Sequence, residues 1–398
     1  MNPFLSSEII LWSATLGVLV PTIILFIECS AALLSGQKKT KKSIDIRPTI
    51  AVLIPAHNEA LEIGATLKTL LPQLTKRDRL IVIADNCSDD TAKISRALGA
   101  IAIERQDAKC RGKGYALDYG LRFLEADPPE VVVVVDADCH VDEKTIEQIA
   151  CLAKTTGSPV QATYLLAPPP NSSPKQKISA FAFTVKNLVR PLGLQQLGLP
   201  CLLTGTGMAF PWPIIHQAPL ASGNIVEDMQ LGLDLALAGN APLFCPSAKV
   251  TGVLPSNQKA AKSQRTRWEH GHLRTIFAQV PRLLKASLLQ RRFDLLAIAL
   301  DLCVPPLSLL VLIWGVILVA ALLIGLLGGT LIPAIVLAIT GLLLFGSIIE
   351  AWAGFGRANL SFQTLLTIFF YVVGKISIYL SFLIKPQKIW IRTERDSK

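Results

Sequence analysis

Three apolar stretches decide what this chain can fold into, because a segment inside a bilayer must satisfy its own backbone hydrogen bonds and so becomes a helix. Ile9 to Ile27 carries no charge, Leu302 to Ile349 is equally uncharged and interrupted by Gly and Pro, and Leu365 to Ile384 is interrupted by Lys375. A helical span needs about 20 predominantly apolar residues, and all three runs meet that length. Between the first and second lie about 250 residues of ordinary globular composition, the size of one α/β domain. A chain of 398 residues that is 51% hydrophobic is then expected to be a membrane protein with a single soluble domain.

The first run lacks the basic start of a signal peptide and is followed by Lys38, Lys39, Lys41 and Lys42, which places its C-terminal end in the cytoplasm. Eight cysteines are scattered without a C-x-x-C pair, so neither a zinc site nor a disulfide framework is indicated. The net charge of +10 invites a nucleic-acid reading. However, nine Lys and Arg fall between Lys259 and Arg292 against one acid, Glu269, just ahead of a spanning region. Anionic lipid headgroups or a pyrophosphate suit that placement better than DNA or RNA, so no nucleic-acid partner is expected.

From Thr49 onward, short apolar runs alternate with helical stretches. TIAVLIP is followed by a helix near Asn58 to Leu70, RLIVIA by one from Asp89 to Leu98, AIAIE by one from Lys113 to Glu125, and then comes VVVVVD. Runs of Val and Ile without polar alternation are strands buried on both faces, which implies an α/β fold with a mainly parallel, Rossmann-like sheet. Ligands of such sheets sit beyond the carboxyl ends of the strands. Polar residues gather there: His57, Asn58 and Glu59, then Asp85 and Asn86, then Asp136 and Asp138.

In VVVVVDADCHVD, Asp136 and Asp138 straddle Ala137 at the end of a buried strand, and two such carboxylates suit Mg2+ or Mn2+. D-x-D alone is more often a solvated turn; the preceding five valines favour the metal. Glu227 and Asp228 open a helix running to Ala238, where acids also serve the helix dipole, so the residues alone leave a general base at Asp228 and a decorated N-terminus both open. Gln264, Arg267 and Trp268 form Q-x-x-R-W, in which Arg suits a pyrophosphate and Trp a sugar face, although a lone R-x-W is commonly a surface feature. Lys113 in RGKGYAL offers a phosphate contact or an ordinary exposed helix-start lysine.

In order, PAHNE, ADNCSDDTA, GKGYAL, DAD, TGTGMAF, VED and QRTRW resemble the membrane branch of the family 2 glycosyltransferases, which includes cellulose, hyaluronan, chitin and poly-N-acetylglucosamine synthases. The resemblance implies the A-type nucleotide-sugar fold over roughly Thr49 to Arg274. It further implies that Glu59 and Asp85 hold a uridine with Lys113 near the nucleotide, that Asp136 contacts the nucleotide and Asp138 the metal, and that Asp228 is the base. Gln264, Arg267 and Trp268 would line the acceptor and pyrophosphate side, and Thr204, Gly205, Thr206 and Gly207 the acceptor loop. Trp390, Thr393 and Arg395 are similar to a loop that covers the donor.

The expected partners are thus a nucleotide-sugar donor, in the first place a UDP-sugar, a glycan or lipid acceptor, the membrane, and further polysaccharide-synthesis subunits. The expected reaction is inverting transfer to a growing polysaccharide, with a single-sugar glycolipid synthase as the alternative; a transporter is disfavoured by the few spans and few intramembrane charges. The domain reading is a transmembrane helix in 1–35, a cytoplasmic catalytic domain in 48–278, an amphipathic interface helix in 279–300, transmembrane and interface helices in 301–384, and a basic cytoplasmic tail in 385–398. Residues 385–398 carry Lys385, Lys388, Arg392 and Arg395, which belong on the cytoplasmic side. The run from Leu302 to Ile349 is then expected to cross twice, from about Leu302 to Leu327 and Leu331 to Ile349, with the segment around Lys375 lying at the cytoplasmic face of the cell's inner membrane.

Overall fold

The computed structural model describes residues 5–34, 47–169, 171–221, 226–254 and 258–384. Two compact units emerge, one built on a sheet and one on apolar helices.

The sheet unit takes in 47–169, 199–221, 226–254 and 258–268 among the described residues. Its strands are β1 (Ile50–Ala56), β2 (Arg79–Asp85), β3 (Ile101–Arg105), β4 (Val131–Val134), β5 (His140–Val141), β6 (Val160–Ala167), β7 (Met208–Pro211) and β8 (Leu243–Val253), in the order β3-β2-β1-β4-β7-β6-β8-β5. Pairings β1 with β2, β1 with β4, β2 with β3 and β6 with β8 are parallel, whereas β7 is antiparallel to β4 and β6, and β5 to β8. The sheet is therefore mixed but mainly parallel, with β7 and β5 as the reversed members.

The Val/Ile runs form central strands because both of their faces are covered. Ile50, Val52, Ile54, Val131, Val133 and Val135 pack on one side with the helices Ile63–Leu70 and Thr145–Thr156. Ala51, Leu53, Val132 and Val134 pack on the other with Lys113–Leu124 and Glu227–Leu237. Each such buried aliphatic side chain contributes about 1.5–3 kcal/mol. The first helix begins at Ile63, not near Asn58. Asn58 adopts φ +55°, a left-handed conformation that Asn tolerates, and its side-chain oxygen accepts from the Ser88 amide at 2.7 Å. The residues after β1 are thus held as a loop at the strand ends.

Among its described residues the helical unit contains three helices long and apolar enough to cross a membrane: Glu8–Leu33, Leu307–Leu326 and Ile332–Gly356. Ile368–Ile384 is apolar but shorter. The stretch Asn171–Gly198, which the sequence reading includes in the catalytic domain, groups with these helices. The reason is a close crossing and a buried ion cluster. A Cβ on Gly193 would sit 2.0 Å from the Glu28 carbonyl oxygen. Arg190 donates to the Glu28 carboxylate at 2.6 Å and to both the carbonyl and the carboxylate of Asp301. All three side chains are buried, so the arginine is the cation that offsets both acids, and the second Glu28 oxygen is without a partner among the described residues. The amphipathic stretch after Pro281 is the end of a longer helix, Gln258–Gln290, which runs through the proline. Trp390, Thr393 and Arg395 lie outside the described residues.

Candidate active site

Asp85 ends β2 and is nearly buried. It accepts from Arg105 at 2.6 Å and from the Asn86 side chain at 3.0 Å, while its carbonyl accepts from the His57 ring at 2.7 Å. Arg105, at the end of the neighbouring β3, also bonds Asp107 at 3.0 Å. Asn86 has φ +52°, and its side-chain oxygen accepts from the Asp107 amide at 2.9 Å. Two left-handed asparagines thus close the ends of β1 and β2. The Glu59 amide donates to Thr91 at 2.8 Å.

One strand further along, Asp136 follows β4. Its carboxylate accepts from the Lys113 ammonium, which also donates to the Gly205 carbonyl at 2.6 Å. Lys113, expected near a phosphate, is here the strut between the D-x-D acids and the 204–207 loop. That loop is pinned twice more: the Asp136 amide donates to the Thr206 hydroxyl at 3.0 Å, and Gln161 bonds the Thr204 amide and the Thr206 carbonyl at 2.9 Å each. Gly205 and Gly207 adopt φ +96° and +64°, where a side chain is strained. A Cβ on Gly205 would meet the Asp228 carboxylate at 3.0 Å and the Lys113 ammonium at 3.7 Å, which puts Asp228 against the loop.

These groups act on one another electrically. Burial alone would lower the Lys113 pKa, but Asp136 and Glu227 outweigh it and hold the ammonium charged. Burial, opposed by Lys113, raises Asp136. Glu227 is pushed up to about 7, first by burial and then by the adjacent Asp228. Arg267 also faces Glu227, Asp136 and Asp228; burial lowers its pKa, those acids oppose the shift, and its Nε is buried without a partner among the described residues. An unpartnered guanidinium N–H of this kind is a ready donor for an anion. Trp268 and Gln264 are half-buried on the same helix.

Ligand atoms of Asp136, Asp138 and Cys139 lie within 4.8 Å of one another. Cys139 is buried, its thiol pKa is raised by burial and by Asp138, and its sulfur donates to the Asp138 carboxylate at 3.7 Å. A protonated thiol is no ligand for a hard ion, so the donor set is the two carboxylates, which fit Mg2+ or Mn2+ with most of the shell left to phosphates and water.

Sequence reasoning did not single out Gln161 or Arg105, and it named Glu227 beside Asp228 without giving it a role of its own. Gln161 sits in an otherwise apolar strand start, so a polar side chain there was the available signal. Arg105 and Glu227 matter only through the neighbours that folding supplies.

The solved mannosyltransferase PcManGT from Pyrobaculum calidifontis, in complex with GDP-Man and Mn2+, shares the fold, with a TM-score of 0.55 at 18% identity over 87% of this chain and 96% of that one. The probable glycosyltransferase YdaM of Bacillus subtilis is 25% identical over 284 residues, covering 65% of this chain and 63% of that protein. The 4,4'-diaponeurosporenoate glycosyltransferase of Staphylococcus haemolyticus is 32% identical over 122 residues, 29% of this chain and 31% of that protein. The chain thus spans less than two thirds of the length of either curated relative. Residues 48–271, more than half of the chain and the whole of the sheet with its strand-end acids, match the family model described as glycosyltransferase like family 2, and the chain belongs to that family.

Proposed function

We propose that the chain is a metal-dependent, inverting hexosyltransferase of the membrane, moving a sugar from a nucleoside diphosphate to a growing polysaccharide. One observation carries this reading: Asp136, Glu227 and Asp228 gather around the Lys113 ammonium at the carboxyl ends of the strands, and Arg267, from a third stretch of the chain, faces the same three acids. Asp138 and Asp136 would hold Mg2+ or Mn2+, which supplies neutralisation of the departing diphosphate. Asp85, positioned by Arg105, and Glu59 would take the base and ribose. Asp228 lies against the acceptor loop and accepts the proton of the attacking hydroxyl, while the free Arg267 N–H takes up charge developing on the diphosphate. Attack of the acceptor hydroxyl directly on the anomeric carbon, with Asp228 as the base and without a covalent glycosyl-enzyme intermediate, inverts that centre. The metal-bound donor complex of the mannosyltransferase PcManGT supports the donor class.

A lipid acceptor is the second reading. It is favoured by the Staphylococcus haemolyticus relative, which is named for a discrete acceptor, 4,4'-diaponeurosporenoate, and not for a polymer.

The test is release of nucleoside diphosphate by the full chain in detergent, from UDP- and GDP-sugars, with product length read on a gel. Asp138→Asn should remove metal-dependent turnover, by at least roughly 100-fold. Asp228→Asn should keep donor binding and lower transfer on the order of 100- to 10,000-fold. Chelator-insensitive activity in Asp138→Asn would overturn the metal assignment, and loss of nucleotide binding in a folded Asp228→Asn would overturn the base.

A further inference from the structure

Lys375 is an isolated charge in the apolar sequence FFYVVGKISIYLSFLI. It occupies the break between the helices Ile368–Val373 and Ile376–Ile384 and is buried. Its ammonium pairs with the Glu269 carboxylate and lies 4.8 Å from the centre of the Tyr371 ring. The next residue, His270, is buried too and donates from its ring to the Ile378 carbonyl at 2.9 Å. Phe382 then packs on His270 edge-on at 5.3 Å and on Phe277 at 6.5 Å. Three side chains of the helix Gln258–Gln290 are thereby clasped by the last apolar segment.

Glu269 and His270 directly follow Arg267 and Trp268 in that same helix. At 3.6 residues per turn, Gln264, Arg267 and Trp268 share one stripe by their i, i+3, i+4 spacing. Glu269, His270, Leu273 and Phe277 form a second stripe on roughly the opposite side. A helix is stiff over two turns, so whatever fixes the rotation of the second stripe also fixes the aim of the first.

We propose that Lys375, through Glu269, is a positioning residue for Arg267: the ion pair sets the rotation of the helix that presents the guanidinium to the diphosphate. This rests on the reading above that Arg267 takes a phosphate. It also gives the C-terminal apolar segment a role in transfer beyond holding the chain at the membrane.

The experiment measures calorimetric binding of UDP, UMP, GDP and GMP with Mn2+ to the full chain in detergent. Arg267→Ala should weaken the diphosphate that binds by roughly ten-fold and leave its monophosphate unchanged. Lys375→Met should do the same, Lys375→Arg should restore binding, and Lys375→Met added to Arg267→Ala should cost nothing further. Should Lys375→Met fail to fold, Glu269→Gln removes the charge with little change of shape and should show the same selective loss. Retained monophosphate binding reports that the site is folded. Equal diphosphate-to-monophosphate ratios in wild type, Lys375→Met and Glu269→Gln would overturn the proposal, as would full additivity with Arg267→Ala. An Arg267→Ala ratio equal to wild type would instead overturn the role given to Arg267.

Discussion

Gly205 and Gly207 show how two residues of the same type, two positions apart, serve different ends. Both have backbone angles costly for a side chain, about 1–3 kcal/mol each. Their surroundings differ. A methyl on Gly205 meets the carboxylate of Asp228 at 3.0 Å and the tip of Lys113, whereas one on Gly207 meets Val250 at 2.8 Å and Ala162 at 3.0 Å in the sheet core. Gly205→Ala is therefore expected to lower turnover by at least roughly ten-fold, because the displaced group is the proposed base, with a smaller fall in Tm that comes from backbone strain alone. Gly207→Ala should instead lower Tm, by an amount matching roughly 2–4 kcal/mol of strain and overpacking. Parallel melting curves and nucleotide-release rates on the two variants check the contrast, and identical profiles would refute it. TGTG was visible as a glycine-rich loop; which glycine faces the acid was not, since that depends on where the helix starting at Glu227 lands.

The helix Gln258–Gln290 carries His272 as well as the clasped pair. Its imidazole is buried, with Lys186 and Arg190 nearby. Burial first, then those cations, keeps its pKa well below the ordinary value, while a bond to the Leu302 backbone works in the opposite direction. An imidazole neutral when folded binds a proton on unfolding once the pH falls below about 6.5. The unfolded state then holds more protons, so this group's stabilising contribution is present above that pH and declines as acid is added. The limiting slope is about 1.4 kcal/mol per pH unit for one proton. His272→Gln cannot be protonated and should flatten the fall in stability between pH 6.5 and 5. Melting of wild type and variant across that range decides it, and parallel curves would remove His272 from the acid limb. The same helix also runs through Pro281, inside the 279–300 stretch that the sequence reading gives to a separate amphipathic helix. A proline suggests a helix start, yet here it is accommodated inside, because a chain already helical on both sides can absorb a kink.

At the scale of the molecule, three described helices have spanning length, and the segment around Lys375 is shorter and keeps its charge paired. An odd total of crossings is the arrangement that returns the basic residues after Ile384 to the side of the lysines that follow the first helix. A cysteine placed at Ser397 should therefore react with a membrane-impermeant reagent only after the cells are opened, above the background of the native cysteines. Labelling from outside intact cells would reverse the topology. The apolar runs, the Val/Ile strands and the acids at their ends were readable in the sequence, because hydrophobic length and period depend on neighbours along the chain. Tertiary structure alone decided that β7 runs against its neighbours, that Lys113 braces Asp136 and Gly205, that Gln161 pins the loop, and that Arg190 is shared by Glu28 and Asp301. Each of those is a contact between residues far apart in the chain, and a buried charge or a left-handed glycine gains its meaning only from the partner that folding brings to it.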